Sequence, residues 1–238
     1  MHIDLSALPP KCDHCILGKQ TRNPIPKIQE GKRASRCLEK VFVDLMGPFF
    51  TTSTGFSYVM HIVDDFSSFV WSIPLRNKSS AFPALCAWQG LQEAKTSLRV
   101  GTYRTNHGEL RSHQMESWLS SCVTKQEFTA PYTSAHNGRC EHAHLTIMNL
   151  ARTMRLSCGL PENRWDEFTK TAAYLLVRTP VSTLHNRTPF EVFYGCKPDL
   201  SHLREIGARA FILHNIPTNG KISARSFECV LVGYATNS

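Results

Sequence analysis

Three short apolar runs crowd into residues 38–75, and they limit the fold more than any other feature of the chain. LEKVFVDLMGPF (38–49) is rich in Val and Phe and alternates in part, as strands do. TTSTGF (51–56) supplies turn residues, and SYVMHIVDDFSSFVWSIPL (57–75) holds two further runs that break at Asp64, Asp65, Ser67 and Ser68. Three successive strands this close predict an antiparallel meander.

The period then lengthens. Ser79 or Ser80 can cap a helix running to about Glu93, with Pro83 tolerated in its first turn. LRVGTYRT (98–105) returns to strand, HQMESWLSSC (113–122) is a short amphipathic helix, and KQEFTAPY is a short strand ended by Pro131. From Asn137 to Leu156 the helical period places Ala143, Ile147, Leu150, Ala151 and Met154 on one face, with Glu141 and Arg152 roughly opposite. Pro161 opens another helix lined by Trp165, Phe168, Ala172 and Leu176, and CVLVGY (229–234) reads as a last strand. The order β-β-β-α-β-α-β-α-α implies an α/β layered domain with a mixed sheet.

No run approaches the roughly 20 apolar residues of a membrane span, and the N-terminus lacks the apolar core of a secretory signal. The expectation is a soluble intracellular protein without a membrane partner. Its nine cysteines, odd in number, are expected as reduced thiols. The net charge of +8 is uneven: +4 in residues 1–40, zero in 41–150 and +4 in 151–238. Basic flanks around a neutral middle suit a polyanion such as nucleic acid, although the same charge also serves solubility.

Phosphodiester chemistry with two metal ions needs several carboxylates converging from separate elements. Asp44 lies in an otherwise apolar run, where a charge is costly unless paired or metal-bound; the alternative is an outward strand position. Glu141 lies on the polar face of a long helix, where a solvated charge is the ordinary reading. Asp64 and Asp65 are expected to cap or bend a turn.

Together these residues resemble the integrase region of Ty1/copia-type LTR retrotransposon polyproteins. CDHCILGKQTR is similar to the family's Cys-x-x-Cys-x-x-Gly-Lys segment, VFVDLMGPF to its first catalytic strand, and IVDDFSSFVW to the next two. TAPYTSAHNGRCEHAHLTIMNLARTM resembles the loop and helix carrying the last catalytic Glu, and TPFEVFYGCKPDLSHLREIGARAF and CVLVGY the downstream part. The resemblance implies a ribonuclease H-like fold and a DDE recombinase that binds Mg²⁺ or Mn²⁺ and joins 3′ DNA ends to target DNA. It further implies nuclear location and a DNA partner, and it allows a homo-oligomer.

By position, Asp44 matches the first catalytic Asp and Glu141 the catalytic Glu. At the second acid the family typically reads Arg-Ser-Asp-Asn-Gly-Gly-Glu, and this chain reads Arg104, Thr105, Asn106, His107, Gly108, Glu109, one residue shorter. Counting from the strand puts Asn106 at the acid position; counting back from Glu109 puts Thr105 there. Neither is a carboxylate, and a neutral amide cannot replace the charge that holds two divalent ions together. Glu109 is the one nearby carboxylate that could substitute. After Glu141 the family often carries Arg or Lys on the helix face that meets DNA, where this chain has His142, Ala143 and His144. The family's zinc domain uses two His and two Cys; Cys12 and Cys15 keep the spacing, but only His2 precedes them and His14 lies between them.

The resemblance divides the chain into a zinc-region remnant with linker (1–36), a catalytic core (37–180) and a truncated C-terminal extension (181–238). Residues expected at nucleic acid are Lys19, Arg22, Lys32, Arg33, Arg139 and Arg152. The expected function is a degenerate integrase. The alternatives are an active recombinase, a catalytically dead nucleic-acid-binding protein and a protein-interaction module.

Overall fold

β1 (Lys40–Met46) is the middle strand of a five-stranded sheet. The structure is a computed structural model describing residues 33–106, 110–128, 138–213 and 224–234. Val41, Phe42 and Val43 are buried in succession, as expected of a strand covered on both faces. β2 (Tyr58–Asp64) and β3 (Val70–Leu75) extend the sheet antiparallel on one side. On the other side β4 (Thr102–Thr105) and β5 (Lys125–Phe128) add parallel strands, giving the order β3-β2-β1-β4-β5. The meander and the mixed sheet follow the sequence expectation.

Helices cover both faces. α1 (Ala81–Thr96) and α2 (His113–Cys122) meet at Tyr103, whose hydroxyl donates to Gln89 Oε1 at 2.7 Å and whose ring stacks on Trp118 at 6.1 Å. Tyr103 is paired with Val41, so Asp44, three residues further along β1, points to the opposite face. That face carries α3 (Gly138–Ser157) and α4 (Trp165–Leu176), which pack on each other. α1 begins at Ala81 with Ser80 in the cap position that the sequence offered, but the Ser80 side chain makes no capping hydrogen bond. Asn77 Oδ1 instead accepts from Ser80 N at 2.9 Å and forms a short 3₁₀ turn first. The helix then runs past Glu93 to Thr96.

The C-terminal part adds α5 (Pro189–Tyr194) and a separate hairpin of β6 (Arg209–Leu213) and β7 (Ser226–Val230). α5 follows from local chemistry: the Thr188 side chain accepts from Glu191 N, Pro189 opens the first turn and Gly195 closes the helix in the left-handed region. Its Phe193 sits in the core against Phe69 and Trp71, at 5.0 and 5.3 Å between ring centroids. The last strand occupies 226–230 rather than 229–234, because its partner begins at Arg209 just after the turn at Gly207. Tyr234 leaves the ladder and stacks on Tyr174 at 5.1 Å.

Candidate functional site

The register of the sheet fixes the centre of the site. β1 and β4 are parallel with Val43 beside Thr105, so the next residues, Asp44 and Asn106, are neighbours at the strand ends. Asn106 Nδ2 donates to Asp44 Oδ1 at 2.8 Å, and the Leu45 backbone N–H donates to the same oxygen at 2.9 Å. Thr105 is fully buried, and its hydroxyl accepts from Gln126 Nε2 at 3.0 Å. Between the two alignments open in the sequence, the structure therefore sets Asn106 against Asp44. The shortened loop and Glu109 fall on residues 107–109, outside the described residues.

The other carboxylate oxygen is also engaged. His144 Nε2 lies 3.2 Å from Asp44 Oδ2, and its ring nitrogen Nδ1 meets Nδ1 of His61. His61 stands opposite Asp44 in the antiparallel ladder, so both side chains share the α3 face. Burial, followed by the neighbouring His144, holds the His61 pKa well below its ordinary value, so His61 is neutral. A consistent proton arrangement then has His61 Nδ1–H donating to His144 Nδ1, and His144 Nε2–H donating to Asp44. His61 Nε2 is buried with no hydrogen-bond partner among the described residues.

His144 was expected on the helix face that meets DNA. Instead α3 turns Cys140, His144, Ile147, Ala151 and Met154 inward, and Ala143 and Leu150 lie on the flank. The signal available was that 4-3-4-3 spacing, with a Cys and a His at inward positions where a hydrophobicity reading looks for aliphatic residues. Glu141 follows Cys140 and is exposed. No hydrogen bond or ion pair joins Glu141 to Asp44 among the described residues. Both charges still act on the Cys140 thiol, whose pKa is pushed well up by burial first, then by Asp44 and Glu141.

The chain is 32% identical over 225 residues to the retrovirus-related Pol polyprotein from transposon TNT 1-94 of Nicotiana tabacum, covering 94% of this chain and 17% of that protein. It is 27% identical over 225 residues to that from transposon RE1 of Arabidopsis thaliana, covering 94% of this chain and 15% of that protein. Among solved structures it resembles the simian T-cell lymphotropic virus intasome in complex with PP2A regulatory subunit B56 gamma. That match has a TM-score of 0.60 and 16% identity, over 92% of this chain and 76% of that one. The HTLV-2 integrase catalytic core domain in complex with magnesium matches with a TM-score of 0.53 and 17% identity, over 68% of this chain and 99% of that domain.

Over most of its length the chain is homologous to retrotransposon Pol polyproteins, and its fold is that of an integrase catalytic core. No protein-family model matches it. It spans about a sixth of the length of the curated relatives it matches. At such identities the likeness to solved structures establishes the fold alone, a ribonuclease H-like mixed sheet.

In this integrase-like core, the residues at the expected metal centre do not fit a pair of divalent ions. Asp44 faces N–H donors on both oxygens, and the residue beside it presents an amide N–H where a ligand must present an oxygen. No group of three or more His, Cys, Asp or Glu that could hold a metal ion occurs among the described residues. Cys12 and Cys15, expected at zinc, lie outside the described residues.

The basic residues are likewise redistributed. Arg139, expected at nucleic acid, stands 3.0 Å from Asp65 Oδ1 and donates to the Asp65 carbonyl at 2.6 Å. Arg33 donates to the carbonyls of Asp65 and Phe66, at 3.1 and 3.2 Å. Both guanidinium groups thus hold the β2–β3 turn. Asp64 and Asp65, expected to shape that turn, do so from full burial. Asp64 accepts from Leu38 N at 2.7 Å, Ser67 N at 2.8 Å and Ser67 Oγ at 2.6 Å, and Asp65 Oδ2 accepts from Ala34 N at 2.7 Å. Arg152 is exposed, with a hydrogen bond to Asn149 on its own helix at 2.9 Å. Lys19, Arg22 and Lys32 lie outside the described residues.

Proposed function

We propose that this chain is an integrase core that has kept its fold and lost its two-metal centre, and that it now binds nucleic acid without transferring strands. The ancestral activity on this reading is DNA integration by Mg²⁺- or Mn²⁺-dependent strand transfer, in the nucleus. The observation that carries the loss is the Asp44 carboxylate, bonded by Asn106 on one oxygen and by His144 on the other. Replacing a bridging acid by an amide removes one negative charge, and it also supplies a donor that competes with any cation for the remaining acid. Ligands of such a centre act as a unit, so one substitution removes most of the activity.

Retained nucleic-acid binding is supported by the net charge of +8 and by the exposed Arg152 on α3. A phosphate-based affinity falls steeply as salt rises, which a protein-interaction module without nucleic acid would not show.

The test is strand transfer and nicking on labelled DNA ends with Mg²⁺ or Mn²⁺, beside duplex binding at several salt concentrations. The natural chain is expected to bind and remain silent in both reactions. Asn106→Asp with one residue restored in the following loop is the variant expected to regain signal. Activity in the natural chain that disappears in Glu141→Gln would overturn the loss of catalysis. Absence of binding at low salt would overturn the nucleic-acid reading.

A further inference from the structure

On the same face as α3, a groove of about 520 Å³ opens between the segment after β1 and the far half of the helix. Pro48, Phe49, Phe50, Met148, Arg152 and Trp165 are among its lining residues. Phe50 is 76% exposed, yet the backbone carrying it is fixed. Trp165 Nε1 donates to the Phe50 carbonyl at 2.8 Å, Phe49 N donates to the Ser57 carbonyl at 2.7 Å, and the Phe49 ring packs on Trp165 at 5.0 Å. A single exposed Phe is unremarkable by itself. One held out beside a groove and a guanidinium is preorganised for a ligand with a flat face, because its segment gives up little freedom on binding.

The charges decide which ligand. Arg155 is committed, donating to the Leu160 carbonyl at 2.8 Å and standing 3.7 Å from Glu162. Arg152 contacts Asn149 of its own helix and otherwise faces solvent. The groove thus offers an exposed aromatic ring and an available cation in one lining, the pairing that takes one base and one phosphate of a single strand. An acidic amphipathic peptide would instead need a continuous apolar stripe, which the Arg155–Glu162 pair interrupts.

We propose that this groove binds an unpaired nucleotide of a DNA strand, with the base stacked on Phe50 and its phosphate at Arg152. The proposal rests on the nucleic-acid-binding reading and adds a preference to it: unpaired ends over blunt duplex.

The experiment compares, by fluorescence anisotropy, a labelled blunt duplex and the same duplex with a short unpaired thymidine overhang, each titrated with the full chain. The overhang is expected to bind roughly tenfold more tightly, the scale of one base stacked on an aromatic ring. Phe50→Leu should remove the preference, Phe50→Tyr should restore it, and Arg152→Ala should reduce the salt slope by about one. Equal binding of the two DNAs by the natural chain would overturn the proposal while leaving nucleic-acid binding intact. A preference that survives Phe50→Leu would overturn it as well. Failure to bind either DNA would overturn both readings together.

Discussion

Asn106 Nδ2 lies 2.8 Å from Asp44 Oδ1, a donor facing an acceptor where a two-metal enzyme sets two acids apart around cations. Asn106→Asp would turn that attraction into repulsion between carboxylates. Without divalent ions the variant is expected to lose about 1–3 kcal/mol of stability, through a broken hydrogen bond and a like-charge contact. Mn²⁺ should recover part of it by binding the native state alone. Thermal melts in chelator and in Mn²⁺ check this, with the natural chain expected to melt alike in both.

His61 predicts a pH dependence. Its folded pKa is depressed by burial and by His144, below the ordinary 6.5 that it recovers on unfolding. A depressed pKa means that the stability is present above 6.5 and lost as pH falls below it, while the unfolded chain takes up the proton and the native state does not. The loss should approach about 1.4 kcal/mol per pH unit until the folded pKa is reached. Denaturant titrations from neutral pH to pH 5 (approximately) should show this slope, and His61→Phe should flatten it by about one proton.

Asp64 ties the segment before β1 to the β2–β3 turn through Leu38 N, Ser67 N and Ser67 Oγ. Asp64→Ala leaves these buried donors unmatched and should cost about 2–4 kcal/mol. Asp64→Asn keeps one acceptor and should cost less. Chemical denaturation of the two variants beside the natural chain separates these outcomes.

The thiols should divide by burial. Burial first, and the Asp64 charge second, push Cys37 up to about 12, and Cys140 is also well above the usual range. Cys196 is exposed. A disulfide reagent at mildly alkaline pH should modify Cys196 orders of magnitude faster than Cys37 or Cys140, which should react only on unfolding. Mass mapping of the labelled peptides reads the order directly.

The sheet was largely legible in the sequence because its strands carry their own signals. VFVD, YVMHIV and VWSI are apolar runs bounded by turn residues, and they became β1, β2 and β3 in that order. Asp44 stood out as a charge inside such a run. What the sequence did not display was pairing across the fold. Arg139 and Asp65 are 74 positions apart, and nothing local marks the arginine as a turn clamp rather than a phosphate contact. His144 was expected on the face that meets DNA because it stands where the family it resembles often carries Arg or Lys. Its spacing with Cys140 and Ile147 was the local sign of an inward position, and its contacts with Asp44 and His61, 100 and 83 positions away, account for a histidine there. α5 is the opposite case: Thr188, Pro189, Glu191 and Gly195 carry a complete local start and stop, a signal that the sequence reading passed over.

Titrating Mn²⁺ into the natural chain while following free Mn²⁺ by electron paramagnetic resonance reads whether the Asp44 centre holds divalent ions. No site tighter than about millimolar is expected, and no change on Asp44→Asn. Two Mn²⁺ ions bound in the micromolar range, and released by Asp44→Asn, would contradict the loss of the two-metal centre.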